Sequence, residues 1–388
     1  MKTYKYLYQK ILDEDIIRQA YKKLRKDKTK RVEIKYIDEH LDEEVLKMKA
    51  MIENTRPCEV NHPELAFKPI YHKPKIIKEH DKQRTIYMPE IHEQWLHHII
   101  IRVLQPIIMY TAHPNVCGSY PGRGPHYGKR KIERWIRSRR GIRYFAKLDI
   151  RHFYDNIRHK VLFRELRKRI DDEWFLYIIK ICLSQFKKGL PLGYYISQWL
   201  ANYLLEPLDN MISKYAEKYI RYMDDLVIYG NIIDRIKIIV NKISEMLGYR
   251  FYLKLKGNFQ VTKFDRPTSG RPLDFMGFVF YRNRTIMRKS IMLKTTRLAR
   301  KIDKKYAKGY KVFRKWISGF VSYMGWFTHT NSYECYLNYI KPYIKVGYLK
   351  RVISAMDRRK NHDGMDRNKI LEKTRVNIAS RPRIIYAS

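Results

Sequence analysis

Cysteine is scarce in this 388-residue chain, and the four present (Cys58, Cys117, Cys182 and Cys335) show no paired spacing. That argues against both a disulfide framework and a zinc site, and it suits a reducing cytoplasm. Acidic residues are outnumbered, 39 against 81 basic ones, for a formal net charge of +42. A compact chain so charged repels itself unless something anionic lies on it, and polyphosphate backbones are the usual counterpart. There is also no long uncharged apolar run, no cleavable N-terminal signal and no internal repeat. No membrane partner is therefore expected, and an acidic membrane surface fits the charge poorly. Apolar residues make up 45 %, enough for a real core, which excludes a disordered basic tail protein. The length accommodates two or three domains, or one large multi-lobed enzyme.

What is present changes character along the chain. Residues 1–56 read as helical, with Ile11, Ile16, Ile17, Ala20 and Leu24 near helical spacing, then Leu41, Val45 and Leu46. The opening Tyr4-Lys5-Tyr6-Leu7-Tyr8 fits either base stacking or a packed helix end. From Pro57 to Pro89 the segments are proline-bounded and β-compatible, and a long apolar helix follows from about Ile91 to Tyr110. A glycine-rich loop, Gly118-Ser119-Tyr120-Pro121-Gly122-Arg123-Gly124, leads into a very basic helix from about Tyr127 to Arg140, carrying Lys129, Arg130, Lys131 and Arg134. Residues 143–230 hold two strand signals with helices between them, and a further strand pair is expected around 251–256 and 273–280. Beyond 290 the chain is basic and helical to near 358, and 359–388 reads as a basic, polar tail.

The chemistry concentrates at Tyr222-Met223-Asp224-Asp225, between the apolar runs Lys218–Arg221 and Leu226–Gly230. The pattern predicts strand, tight acidic turn, strand. Adjacent carboxylates on a hairpin tip repel each other, so the arrangement is favourable when a cation neutralises them. Upstream, Arg143-Tyr144-Phe145-Ala146-Lys147-Leu148-Asp149 predicts a strand ending in a third carboxylate, followed by a turn into a helix. If the two strands are neighbours, Asp149, Asp224 and Asp225 could surround two divalent ions roughly 4 Å apart, the arrangement that activates a 3′-hydroxyl and stabilises leaving pyrophosphate.

Asp149 with its following aromatics, then the Tyr-Met-Asp-Asp hairpin, resemble motifs A and C of reverse transcriptases. The similarity extends over roughly residues 70 to 345. It includes the Arg84 segment, the Gly118–Gly124 loop, Gly189 to Gln198 as motif B, Leu273-Asp274-Phe275-Met276-Gly277-Phe278 as a primer grip, and a thumb-like Ser318–Trp326. The resemblance implies an α+β right-hand polymerase with fingers, a palm bearing an antiparallel sheet, and a helical thumb. Its parts would be an N-terminal helical extension at 1–56, fingers at 57–142, and a palm at 143–288 with part of the fingers at about 161–195. The thumb would occupy 289–358, with the basic tail at 359–388. It further implies Mg²⁺, with Mn²⁺ as a substitute, two ions per site, held by Asp149, Asp224, Asp225 and the main-chain carbonyl of Ile150. Tyr154 stands where the family places an aromatic gate against a ribose 2′-hydroxyl, the alternative being a core aromatic. Arg84 resembles the residue that grips the incoming triphosphate, or is a surface arginine in a basic stretch. Leu192, Gly193 and Gln198 would meet the nucleotide. Arg123, Lys129, Arg130, Arg134, Met276 and Gly277 would meet nucleic acid.

Motif B departs from the common Gln-Gly-x-x-x-Ser-Pro pattern, since Leu192 replaces the glutamine and Gln198 the proline. With the Thr328-His329-Thr330-Asn331-Ser332-Tyr333 stretch, this looks like the reverse transcriptases of diversity-generating retroelements, which copy a template RNA with frequent errors at adenines (mutagenic retrohoming). That resemblance implies dNTPs, template RNA and an RNA–DNA hybrid as partners, a small basic oligomeric accessory protein, and a prokaryotic or phage source. A leucine can only pack where glutamine could orient the nucleotide, so low fidelity is expected, the alternative being that Leu192 is strand core. Another prokaryotic reverse transcriptase, of phage-defence or retron type, stays open, although the Asn-Ala and Val-Thr-Gly signatures of retrons are missing. No His-Asn-His or paired-cysteine module follows the thumb-like stretch, which argues against a self-mobile intron protein. A non-catalytic RNA-binding protein with a polymerase fold is the remaining class.

Overall fold

The computed structural model describes residues 3–361 except 59, 71, 80, 81, 139, 140, 258 and 266–268. Nearly all of the expected tail at 359–388 thus lies outside the described residues. The chain forms two compact units, Met1–Lys263 and Phe264–Ser388. The division falls inside the stretch 143–288, so the primer-grip-like hairpin belongs with the later helices.

The first unit begins with helices α1 (Leu7–Ile11), α2 (Glu14–Arg25), α3 (Val32–Glu39) and α4 (Leu41–Glu53). The Asp13 side chain caps α2 by accepting from Asp15 N and Ile16 N, which satisfies amides that have no partner within the helix. Ile17, Ala20, Tyr21 and Leu24 recur at helical spacing and are buried together. They face α5 (Ile91–Thr111), whose Trp95 Nε1 donates to Ile17 O at 2.9 Å. The opening tyrosines divide. Tyr8 is 2 % exposed and donates its hydroxyl to Ile52 O, whereas Tyr6 is 70 % exposed. Between α4 and α5, β1 (Lys75–Glu79) and β2 (Lys82–Ile86) pair as an antiparallel hairpin.

A five-stranded sheet follows. Its members are β3 (Val116–Cys117), β4 (Tyr144–Asp149), β5 (Lys218–Tyr222), β6 (Asp225–Gly230) and β7 (Val261–Lys263), in the order β3-β5-β6-β4-β7. All pairings are antiparallel except β3 with β5. The intervening helices are α6 (Pro125–Arg137), α7 (Phe153–Asn156), α8 (His159–Arg167), α9 (Glu173–Leu183), α10 (Tyr195–Leu204), α11 (Glu206–Tyr215) and α12 (Ile233–Met246). Leu226 to Tyr229 are all buried, as expected of an apolar run in a strand enclosed on both faces. Helix α12 packs on β4, β6 and β7, and α11 packs on β5.

The expected strand at 251–256 does not form. Leu247–Phe251 makes a π-helical turn, and Leu253 N closes it by donating to Leu247 O at 2.8 Å. Tyr252 there has φ 57°, which breaks an extended run whatever the alternation of side chains. Only Leu255 reaches the sheet, as a single bridge to Ile150, and β7 supplies the edge strand instead.

In the second unit, β8 (Leu273–Phe275), β9 (Phe278–Phe280) and β10 (Thr285–Met287) form an antiparallel sheet in the order β10-β9-β8. Helices α13 (Lys289–Ala307), α14 (Arg314–Thr328), α15 (Tyr333–Tyr339) and α16 (Val346–Asn361) follow. They close a separate core around Ile291, Ala299, Ile302, Ile317 and Phe320. The architecture is α+β, with helices grouped around an antiparallel-rich sheet.

Candidate active site

Register brings the three carboxylates together. Asp149 ends β4 and Asp225 begins β6, and the two residues stand directly opposite each other in the antiparallel ladder. Asp224 is the second residue of the two-residue turn before Asp225. Opposed like charges on adjacent strands are destabilising, so this end of the sheet favours a cation. Burial, above all, together with the Asp225 and Asp149 charges, pushes the Asp224 carboxyl up to about 6. A backbone hydrogen bond and Lys256 oppose that rise.

Lys256 supplies the resident positive charge, with its Nζ 2.5 Å from Asp149 Oδ2. The other oxygen, Asp149 Oδ1, is buried without a hydrogen-bond partner. Ile150 is buried, its N–H donates to Asp224 O at 3.3 Å, and the bridge to Leu255 is carried by its neighbours through Arg151 N to Lys254 O and Lys256 N to Asp149 O. Hard oxygen donors, one of them an orphaned buried oxygen, fit a hard divalent cation in their chemistry. As the side chains stand, no three His, Cys, Asp or Glu among the described residues are arranged to hold one, and the Lys256 ammonium is the cation at Asp149.

The turn itself is unusual. Met223 has φ 57°, a left-handed conformation that costs a non-glycine residue about 1–2 kcal/mol. Beneath it, the fully buried Arg221 donates from Nη1 to Met223 O at 2.9 Å and pairs with the equally buried Asp209. Gly118 of the glycine-rich loop has φ 88°, and a Cβ there would lie 3.1 Å from the Tyr222 ring. Next to it, Ser119 Oγ lies 3.2 Å from Met223 Sδ and donates to Gln198 Oε1 at 2.9 Å. The exposed Gln198 therefore sits beside the Met223-Asp224 turn.

Other expected site residues approach from the surrounding helices. Tyr154 lies on α7, half-buried. Burial first, then the Asp224 charge, pushes its phenol up, while Arg221 and Arg84 oppose, which places Tyr154 within electrostatic reach of both Asp224 and Arg84. Arg84 is exposed on β2. Gly189 N and Leu190 N donate to Ile157 O and Tyr154 O, so the stretch leading into motif B is fastened to α7. Leu192 lies in the turn ahead of α10, not in a strand, and its carbonyl accepts from Tyr87 N at 2.8 Å. Gly193 has φ 107°, and a Cβ there would fall 1.9 Å from Tyr87 O, so only glycine permits that approach.

The basic residues differ in how they are engaged. Arg123 Nη1 donates to Ala112 O and His113 O, which folds the glycine-rich loop onto the end of α5. On α6, Lys129 pairs with Glu133 at 2.8 Å, and Lys131 donates to Pro114 O and Asn115 Oδ1. Arg130, Arg134 and Arg137 are exposed along a shallow groove of about 550 Å³. Met276 and Gly277 form the two-residue turn between β8 and β9 in the second unit. Sequence patterning missed Lys256, Ser119, Asn202, Asp209 and the role of Arg221. A cation at an acidic strand end could be foreseen, though not which one.

The family described as reverse transcriptase (RNA-dependent DNA polymerase) matches residues 72–279. Protein YkfC of Escherichia coli is 24 % identical over 150 residues, 35 % of this chain and 39 % of that protein. The retron Ec73 reverse transcriptase of Escherichia coli is 25 % identical over 205 residues, 47 % of this chain and 61 % of that protein. The chain thus spans less than two thirds of the length of either curated relative. A solved structure, telomerase from Candida albicans with a fragment of telomeric RNA, aligns with TM-score 0.44 and 11 % identity over 80 % of this chain and 64 % of that one. No helix among the described residues is long and apolar enough to cross a membrane. With more than half of its 388 residues inside the family match, and Asp149, Asp224 and Asp225 all within it, the chain belongs to the reverse transcriptase (RNA-dependent DNA polymerase) family.

Proposed function

We propose that this protein is an RNA-directed DNA polymerase whose reaction centre is Asp149, Asp224 and Asp225. The observation that carries it is the convergence of those carboxylates on one sheet end, with an orphaned Asp149 oxygen and an Asp224 carboxyl raised by burial and by the Asp225 and Asp149 charges. Asp149, Asp224, Asp225 and the Ile150 carbonyl would hold Mg²⁺ or Mn²⁺. Two such ions supply activation of the primer 3′-hydroxyl and charge stabilisation of the pyrophosphate. The chain's own groups do the rest. Tyr154 stands near Asp224 as a bar to a ribose 2′-hydroxyl, and Arg84 offers its charge to the triphosphate of a dNTP. Arg130 and Arg134 offer theirs to template phosphates, so template affinity falls steeply with salt. Full-length protein with an RNA template, DNA primer, dNTPs and Mg²⁺ or Mn²⁺ should extend the primer. No extension with either metal would overturn the proposal in favour of an RNA-binding protein with this fold.

A finer proposal is error-prone copying at template adenines, as in a diversity-generating retroelement, with the element's RNA and an oligomeric basic accessory protein as partners in a prokaryotic cytoplasm. It is supported by Leu192 where a glutamine is common and by Gln198 beside the catalytic turn. Sequencing the cDNA should reveal errors concentrated opposite adenine, with Leu192→Gln reducing them. Errors spread evenly over the four template bases would favour a retron-like enzyme, the reading supported by the similarity to the retron Ec73 reverse transcriptase.

A further inference from the structure

We propose that Arg221 is the positioning residue of the catalytic turn, pinning the Met223 carbonyl through a buried fork anchored on Asp209 and Asn202. The inference rests on Asp224 and Asp225 being the reacting carboxylates.

Arg221 is 1 % exposed, as are Asp209 and Asn202. A guanidinium carries five N–H donors in a rigid plane, and here each of its nitrogens is engaged. Nε and Nη2 grip Asp209 at 2.9 and 2.6 Å, and Nη2 also reaches Asn202 O at 3.4 Å. Nη1 reaches Asn202 Oδ1 and Met223 O, both at 2.9 Å. Asn202 passes the constraint on, donating to Gly118 O at 3.2 Å.

A buried ion pair is a weak source of stability, because apolar residues of similar volume often do as well. What apolar residues could not do is hold a main-chain carbonyl. The carbonyl held is that of Met223, the residue in left-handed backbone immediately before Asp224. No glycine relieves that conformation. The turn is gripped by Arg221 at Met223 O and by Ile150 N at Asp224 O. Releasing the first grip lets Met223 relax, and both carboxylates move with it.

The test compares the parent with the double variant Arg221→Met/Asp209→Leu and with Arg221→Lys. Three quantities are read: melting temperature, kcat and KM for dNTP in primer extension, and Mn²⁺ affinity by electron paramagnetic resonance without nucleic acid. The double variant should melt close to the parent, because the pair is replaced by packing. Its kcat should fall about 10²-fold at nearly unchanged KM. Its Mn²⁺ affinity should fall about 10-fold, as when the supports of metal ligands are removed. Arg221→Lys keeps the charge for Asp209 but not the fork, and should show the same losses. A folded double variant with parental kcat and Mn²⁺ affinity would overturn the proposal. If the double variant fails to fold, parental values in Arg221→Lys overturn it equally. A parent that extends no primer sinks the proposed function, while the Mn²⁺ affinities still decide the role of Arg221.

Discussion

Two hairpins in this protein turn on a methionine in left-handed backbone, and they stabilise it differently. In β5–β6 the turn is Met223-Asp224, with Met223 at φ 57°, and in β8–β9 it is Met276-Gly277, with Met276 at φ 53°. The second hairpin follows ordinary turn chemistry. Its second residue is a glycine at φ 85°, and the bare Cα lets Trp326 pack against it. The first hairpin carries a carboxylate at that place, and Met223 is its one left-handed residue. Its constraint comes from Arg221 below and Ile150 beside it. A turn that must present charged groups cannot use the cheapest backbone solution, and a buried polar network takes over the task.

The largest expected effect separates the hairpins by chemistry. Asp225→Asn keeps the shape of the turn and removes one charge, and primer extension should drop about 10³-fold or more with the metal-free protein melting no lower than the parent. Substantial residual extension would detach the chemistry from this hairpin.

Next comes Gly277→Ala. Its Cβ would meet Trp326 Cη2 at 2.5 Å in a backbone region that disfavours alanine. Denaturant unfolding should register a loss of about 2–4 kcal/mol in the second unit. An unchanged midpoint would show that this turn is looser than its packing.

Asp224 gives a smaller effect with a definite sign. Its carboxyl is raised to about 6 from 3.8, so the metal-free fold favours the protonated form. That stability is fully present below pH 3.8 and is lost as pH rises through about 6. Asp224→Asn should therefore stabilise metal-free protein by about 1–3 kcal/mol at pH 8 and by almost nothing at pH 3.5. A constant difference across that pH series would remove electrostatic crowding as the cause.

The smallest effect tests the shared strain. Met223→Gly and Met276→Gly should each change stability by under about 1 kcal/mol, since relief of left-handed strain offsets the entropy cost of glycine. A large loss in one alone would mean that its methionine is held for packing.

Much of the site was legible because its signals are local. An apolar run, an acidic pair and another apolar run require a hairpin, and Arg143–Asp149 reads as a strand from its own residues. Long-range partners left no such mark. Lys256 stands 107 residues from Asp149, and nothing in its neighbourhood distinguishes it from the many other lysines. The strand expected at 251–256 failed because alternation of side chains is blind to φ, and Tyr252 turns the chain there. Of the basic helix, sequence could count cations but not tell Lys129 and Lys131, engaged within the fold, from the exposed Arg130, Arg134 and Arg137.

By itself, then, the sequence determined the excess of positive charge, the α+β architecture through its resemblance to a family, and the three carboxylates through their strand contexts. Those properties depend on residues near one another in the chain. Tertiary structure alone decided that Asp149 faces Asp225, that Lys256 stands at the first and that Arg221 holds the turn for the second. The first two join residues far apart in the chain, the third joins Arg221 to the turn and to Asp209 on another element, and the free energy of such contacts is written in no single segment.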